Sequence, residues 1–421
     1  MKPTALNRRD WLRAAGVAAG PLALSGRAAA QERIGIAVIG VGSRGAGLLN
    51  VLLSFPEVDI PAVCDINEQN LKRALLAVEK ARGRRPEGFS KGPDDYRRML
   101  ARGDFRAVLI ATPQELHARM ALDSMTAGKF VASEVPACTT LEDCWELVRT
   151  QRRTRSGYML LENYRYSRHV MQVWTMAEKG VFGDLTYAEC AYIHEIRGLR
   201  FNPDGSLTWR GVNAARNIGD LYPTHSLGPV CGWMGINRGD RLVSMVTMAS
   251  KSVSTHEYAV RRFGKDSAAA RVQFLNGDTN NTLIRTQQGR LIFVRYDVAS
   301  PRPPGMGQYS LQGTRGAYSA AFGEHKVHIE GRSPAHQWEP LEKYRAEYEH
   351  PYWARRGAEA ARTGHGGGDY FVLSDFLQAV RTGESPIDVY DAATWSSVRP
   401  LSAESLRRGS APVEIPDFKR T

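Results

Sequence analysis

The chain has 421 residues, 43% of them hydrophobic and 24% charged, and a formal charge of +12. The basic surplus is spread along the chain, and its densest cluster, KARGRR at 80–85, has no interleaved aromatics, which argues against nucleic-acid binding. No stretch after residue 30 reaches the roughly 18 apolar residues of a membrane helix, and five scattered cysteines without a C-x-x-C pair exclude a disulfide framework.

Residues 1–30 carry the parts of an export signal. Lys2, Arg8, Arg9 and Arg13 precede a weakly apolar run over 14–24, and Ala28-Ala29-Ala30 offers a cleavage site. The string N-R-R-D-W-L resembles a twin-arginine signal, an address read by the export machinery and not a membrane anchor. Its removal takes away five basic residues, with Arg27, and Asp10, so the charge falls by four to +8. The expected location is periplasmic or secreted, reached in the folded state. Cysteines used sparingly suit a chain that folds before export.

From Ile34 strand-like and helix-like segments alternate. IGIAVI (34–39), DIPAVC (59–64), AVLIAT (107–112) and KFVAS (129–133) read as strands, and helical spacing runs over 44–54, 67–80, 116–126 and 141–152. This alternation predicts a parallel sheet with helices on both faces. After residue 155 the pattern changes. YMLLEN (158–163) reads as a strand and 167–179 as a helix. LTYAECAYI (185–193), RLVSMVTMAS (241–250), AARVQFLNG (269–277) and NTLIRTQQGRLIFVRYDV (281–298) read as strands of a larger sheet, several with the alternation of a half-wet surface. SPRPPGMG (300–307) is a loop, and DYFVLSDFLQAVRTG (369–383) is a helix with a glycine stop. The expected fold is α/β. An N-terminal Rossmann dinucleotide-binding domain (31–155) precedes a C-terminal α+β domain (156–421) with a large open, mostly antiparallel sheet. An exposed sheet face commonly pairs with another copy, so a homo-oligomer through the C-terminal sheet is expected.

Gly40-x-Gly42-x-x-Gly45 follows the first strand and opens a helix. Gly40 permits the tight turn, Gly42 leaves room for a pyrophosphate, and Gly45 lets helix and strand pack closely. The helix N-terminus offers free N–H groups to phosphate. Asp65, at the end of the second strand, suits the adenosine ribose hydroxyls and favours NAD over NADP; Arg44 nearby leaves a 2′-phosphate open.

The fingerprint, ATPQELH (111–117) and EVP (134–136) resemble the Gfo/Idh/MocA oxidoreductases. GSRG, CDIN, SEVPA, LLENYRY, YPTHSLGP, INRGDR, GHGGGDYF and DVYDAATWSSVRPLS narrow the resemblance to glycoside hydrolase family 109, NAD-dependent enzymes of the α-N-acetylgalactosaminidase type. The resemblance spans residues 33–418. It implies hydrolysis through oxidation at sugar C3, loss of the C2 proton, elimination of the aglycone from C1, water addition and re-reduction. The cofactor is then a tightly bound NAD, one per subunit, and the partner a small carbohydrate or glycoside. The alternative is an NAD(P)-dependent sugar dehydrogenase of the wider family, which accumulates reduced cofactor.

On the cofactor side the resemblance assigns Ser43, Arg44, Asp65, Gln114, Glu115, Leu116, His117, Glu134, Val135, Asn163 and Tyr222. His117 also reads as a helix-start residue. On the substrate side it assigns Tyr192, Arg210, Tyr222, Pro223, Thr224 and His225. His225 and Tyr222 carry the catalytic roles. A histidine moves protons near neutral pH, and a tyrosine can hydrogen-bond the C3 oxygen as it becomes a ketone. Pro223 suggests a helix start that turns Tyr222 and His225 to one pocket. Tyr166, His194 and His365 rank behind them. His325, His328 and His336 lack a clear ligand set, and no metal is expected. Two departures stand out. Val135 replaces the family's lysine, as in the glycosidase branch. Arg302-Pro303-Pro304-Gly305 stands where that branch has Arg-Pro-Tyr, with Tyr309 a few residues on.

Overall fold

The apolar run IGIAVI forms the central strand β1 (Ile34–Ile39), buried along nearly its whole length because helices cover both faces of its sheet. The computed structural model describes residues 33–303 and 307–420, so the expected export signal and Pro304-Gly305 lie outside the described residues. After β1 come α1 (Ser43–Leu53), β2 (Val58–Asp59) and β3 (Ala62–Cys64). DIPAVC is therefore two strands, separated at Ile60-Pro61, where proline has no N–H for the ladder. Helix α2 (Glu68–Arg82) starts at Asn67, whose side chain accepts from the amides of Gln69 and Asn70, and stops at Gly83 with φ +70°. The series continues with β4 (Glu87–Phe89), α3 (Asp95–Leu100), β5 (Ala107–Ile110), α4 (Gln114–Thr126), β6 (Phe130–Ser133), α5 (Leu141–Thr154) and β7 (Tyr158–Leu160). The strands run parallel in the order β4-β3-β1-β5-β6-β7, with β2 beside β1. The YMLLEN strand thus completes this first sheet.

The second sheet follows α6 (Arg168–Glu178). Its elements are β8 (Leu185–Ile193), α7 (Trp209–Arg216), α8 (Thr224–Trp233), β9 (Leu242–Ala249), α9 (Ser254–Phe263), β10 (Thr279–Thr286), β11 (Leu291–Asp297), β12 (Gln308–Gly313), β13 (Gly316–Ala321), β14 (Glu324–Ile329) and β15 (Glu339–Pro340). Then come α10 (Arg345–Tyr348), α11 (Pro351–Ala360), α12 (Gly368–Thr382), α13 (Val389–Arg407) and β16 (Val413–Glu414). The sheet order is β15-β14-β13-β12-β8-β11-β10-β9-β16; only β8 and β11 pair in parallel. AARVQFLNG is not a strand. Ala269–Arg271 makes a short 3-10 turn, and Ala269 and Phe274 pack with Phe201 and Ala259 in a small separate core. The outer face of the sheet carries Val246, Leu283 and Phe293 in register across β9, β10 and β11.

Helix α13 packs on both α5 and β9 and so joins the two sheets. Asp388 caps it by accepting from the amides of Tyr390 and Asp391. Buried Asp391 takes both arms of Arg238, at 3.0 and 2.7 Å. The strings INRGDR and DVYDAATW are therefore two halves of one structural joint.

Candidate active site

The glycine turn sits at the C-terminal edge of the parallel sheet and shows why glycine stands at Gly40 and Gly45. Gly40 has φ +84°. A Cβ on Gly45 would stand 1.9 Å from the Gly40 carbonyl oxygen, so only glycine lets α1 lie this close to β1. At Gly42 the nearest atom to an added Cβ is 3.8 Å away. Gly42 also caps α1 without a side-chain hydrogen bond, so the first amides of the helix face the cleft with no side-chain partner. These features fit a dinucleotide pyrophosphate. Gly45→Ala is expected to destabilise the protein by roughly 1–3 kcal/mol or more in thermal denaturation. Gly42→Ala should leave melting nearly unchanged and weaken NAD+ binding in a cofactor titration.

Asp65 closes the far side of this turn. One carboxylate oxygen accepts from the Val41 amide and the other from Asn67, each at 2.8 Å, which fixes the carboxylate at the cleft edge. The cleft is lined further by Ser43, Gln114, Leu116, His117, Glu134, Val135 and Tyr222. Glu115 points outward from α4 and is exposed. Gln114 is held by Arg399 at 2.7 Å and by Asn213. The His117 ring is buried between the carbonyl oxygens of Thr112 and Pro136, each 2.8 Å from a ring nitrogen, so it ties α4 to two flanking loops.

Arg44 is engaged as a clamp. Its Nε donates to Glu134 at 2.8 Å, and its two Nη atoms fork onto Asp369 at 2.8 and 2.9 Å. Asn163 donates to the same Asp369 at 2.8 Å, and His365 Nδ1 lies 2.9 Å from it. Burial pushes the Asp369 carboxyl up, but the bonds from His365 and Arg44 outweigh it and hold the group well below the usual carboxylate range. With its fork filled by carboxylates, Arg44 offers little to a 2′-phosphate. Asn163 is likewise part of the clamp.

At the inner end of the cleft His225 meets Tyr222, with ring centres 5.0 Å apart. Helix α8 starts one residue after Pro223, so Tyr222 and His225 do face one space, while Thr224 is sealed in the interior. The residue that sequence reasoning missed is Glu162. It is 0% exposed, and its Oε1 lies 2.6 Å from His225 Nδ1. Amides of Tyr164 and Arg165 donate to the same carboxylate. This geometry fixes the tautomer with hydrogen on Nδ1 and the Nε2 lone pair free to act as a base. A signal existed: Gly228, one helical turn after His225, leaves room for Glu162, since a Cβ there would meet Glu162 Oε2 at 2.3 Å.

Tyr164, Tyr192 and Tyr222 surround His225 at ring distances of 4.5, 5.7 and 5.0 Å. Burial pushes all three phenols well up, so they stay protonated hydrogen-bond donors. Tyr192 pairs with His194 Nδ1 at 2.9 Å, and burial, then the Arg210 charge, lowers the His194 pKa. Arg210 lies over Trp209 at the cleft wall. Tyr309 does not take the place of an Arg-Pro-Tyr tyrosine. It is buried against Trp233, and its hydroxyl is used on the His225 carbonyl at 2.7 Å. Tyr166 is also interior, bonded to Asp375. His325 and His328 each bond locally, to Tyr318 and to the Gln337 carbonyl, and do not converge.

Known proteins resemble this chain over both of its halves. A family model described as glycosyl hydrolase 109, C-terminal domain, matches residues 166–421, and one described as an oxidoreductase family with an NAD-binding Rossmann fold matches residues 34–161. A glycosyl hydrolase family 109 protein of Stenotrophomonas maltophilia is 39% identical over 98% of this chain and 96% of its own length. One from Saccharopolyspora erythraea is 39% identical over 93% and 84%. Among solved structures, levoglucosan dehydrogenase in complex with NADH aligns with a TM-score of 0.72 at 19% identity, covering 92% of this chain and all of that one. At that identity the likeness is one of fold.

Proposed function

The chain belongs to glycosyl hydrolase family 109 and is an NAD-dependent glycoside hydrolase built on an oxidoreductase fold; on that premise we propose that it cleaves glycosides, of the α-N-acetylgalactosaminide kind, by transient oxidation of the sugar. The observation that carries the reading is the buried Glu162–His225 pair against Tyr222 of the dinucleotide cleft, ringed by three neutral tyrosines. Bound NAD+ supplies a reversible hydride acceptor for sugar C3. Tyr222 donates a hydrogen bond to the C3 oxygen as it becomes a carbonyl. That carbonyl acidifies the C2 proton, which His225 Nε2 removes while Glu162 holds the Nδ1–H. The C2–H electrons form the C1–C2 double bond and the aglycone leaves from C1. Water then adds hydroxide at C1 and protonates the departed aglycone, His225 returns the proton to C2, and the C3 carbonyl takes back its hydride with the proton its hydroxyl had released to solvent, so the net change is hydrolysis. This route needs no pair of carboxylates at fixed separation, unlike most glycosidases.

The test uses nitrophenyl glycosides in deuterated water, with and without added NAD+. Released nitrophenol together with deuterium at C2 is the expected result. Steady NADH formation without aglycone release would favour the dehydrogenase reading and overturn this one.

The proposal includes folded export by the twin-arginine route with NAD already aboard, one per subunit. Purified mature protein that is empty and exchanges added NAD+ rapidly would count against it. It also includes a homo-oligomer formed through the outer face of the second sheet. Leu283 on that face is 42% exposed and sits between Val246 and Phe293, an apolar row suited to another copy. A monomer in light scattering would exclude it.

A further inference from the structure

Beside the cofactor cleft lies a smaller cavity of about 70 Å³, sharing Gln114, Arg210 and Tyr222 with it and bounded by Tyr192, His194 and Arg200. This is room for a few heavy atoms beyond a single water. Arg200 is only 2% exposed. One arm of its guanidinium, Nη1, is held by the Thr255 hydroxyl, and its Nε has no partner. A buried guanidinium without a carboxylate is costly. The nearby acids do not supply one. Glu195 is committed to Arg197 at 2.7 Å, and Asp278 to the amides of Val253 and Ser254 and the Ser254 hydroxyl. Arg210, on the opposite wall, stacks on Trp209 and is likewise without a carboxylate. Arg399 adds a third cation behind Gln114 and Asn213. Asp220 faces this group from beyond Tyr296; burial raises its carboxyl to about 7, which weakens its opposition to an anion near neutral pH.

We propose that this cavity is a subsite for an anionic substituent of the sugar, a carboxylate or a sulfate, bound between Arg200 and Arg210. The inference rests on the glycoside reading of the adjoining site and adds a substrate class to it. The two guanidinium groups give charge-assisted hydrogen bonds to the substituent's oxygens. Tyr222, shared by both spaces, and Tyr192, which lines the smaller one, meet the sugar ring. The basic surplus of +8 that remains without the signal steers such substrates toward the protein.

The experiment is a calorimetric titration of the NAD-loaded protein with paired sugars: galacturonate against galactose, and N-acetylgalactosamine 6-sulfate against N-acetylgalactosamine. At least one acid or sulfate is expected to bind about tenfold or more tightly than its neutral partner, corresponding to about 1.4 kcal/mol. The preference should shrink as salt is raised and vanish in Arg200→Met. Since Arg200 also braces Thr255, Arg200→Lys serves as a second variant: it should keep the melting temperature and retain part of the preference. Equal affinity within every pair, or a preference that survives Arg200→Met, overturns the subsite. Neutral glycosides cleaved with C2 deuteration but no anionic preference would leave the chemistry standing and remove the subsite alone. No binding of any of the four sugars would overturn the subsite and the glycoside reading together.

Discussion

Replacing His225 by alanine is expected to lower kcat/KM for glycoside cleavage by about 1,000-fold, within the range that general acid–base groups contribute, while the protein stays folded and keeps its NAD. Among the described residues, the three tyrosines around the ring are held protonated by burial, and His194 Nδ1 is hydrogen-bonded with the Tyr192 hydroxyl. Glu162→Gln is the sharper companion. It leaves shape nearly unchanged but replaces an obligate acceptor by a group that also donates, so the tautomer fixed at His225 is lost. A fall of about 100-fold in kcat with little change in KM is expected. Full activity in either variant, measured by nitrophenol release, would remove the pair from the reaction.

Arg44→Leu is expected to destabilise the protein by about 3–5 kcal/mol, because it strands two carboxylates, Glu134 and Asp369, that are almost wholly buried. Thermal denaturation measures this. Asp369→Asn should cost less, since the amide still accepts from Arg44. The clamp also sets a sign for pH. The Asp369 carboxyl is depressed in the folded state, so its stabilisation is complete above the ordinary carboxylate value of 3.8 and is lost as pH falls through the lower folded value. Arg44→Leu should therefore flatten the acid limb of the stability curve. An unchanged melting temperature and acid limb would show the clamp to be idle.

The dinucleotide half was legible because its signals are local. A strand, three glycines and an acid lie within one short stretch, and Gly40 and Gly45 are demanded by a turn and a close approach. Strands β1 and β8 match their apolar runs residue for residue. Helix α13 was not legible, because most of its residues are buried and no amphipathic stripe marks it. The stretch after Ala269 misled because its apolar residues serve a satellite core and not a sheet face. In the site, the family resemblance pointed to Tyr222 and His225, and their spacing accounts for the ring contact between them. Glu162 was passed over because its partner stands 63 residues away in the chain. A 2′-phosphate was left open at Arg44 because the carboxylate its fork engages, Asp369, is 325 residues distant.

That last separation bears on how the protein is made. The wall of the cofactor cleft draws on Arg44 and Glu134 from the first sheet's loops and on Asp369 from the start of α12. During synthesis the nucleotide-binding strands emerge early, but the residue that locks their turn leaves the ribosome when most of the chain has already appeared. Closure of so long a loop comes late in folding. A truncated or half-made chain thus has the glycine turn without its lock.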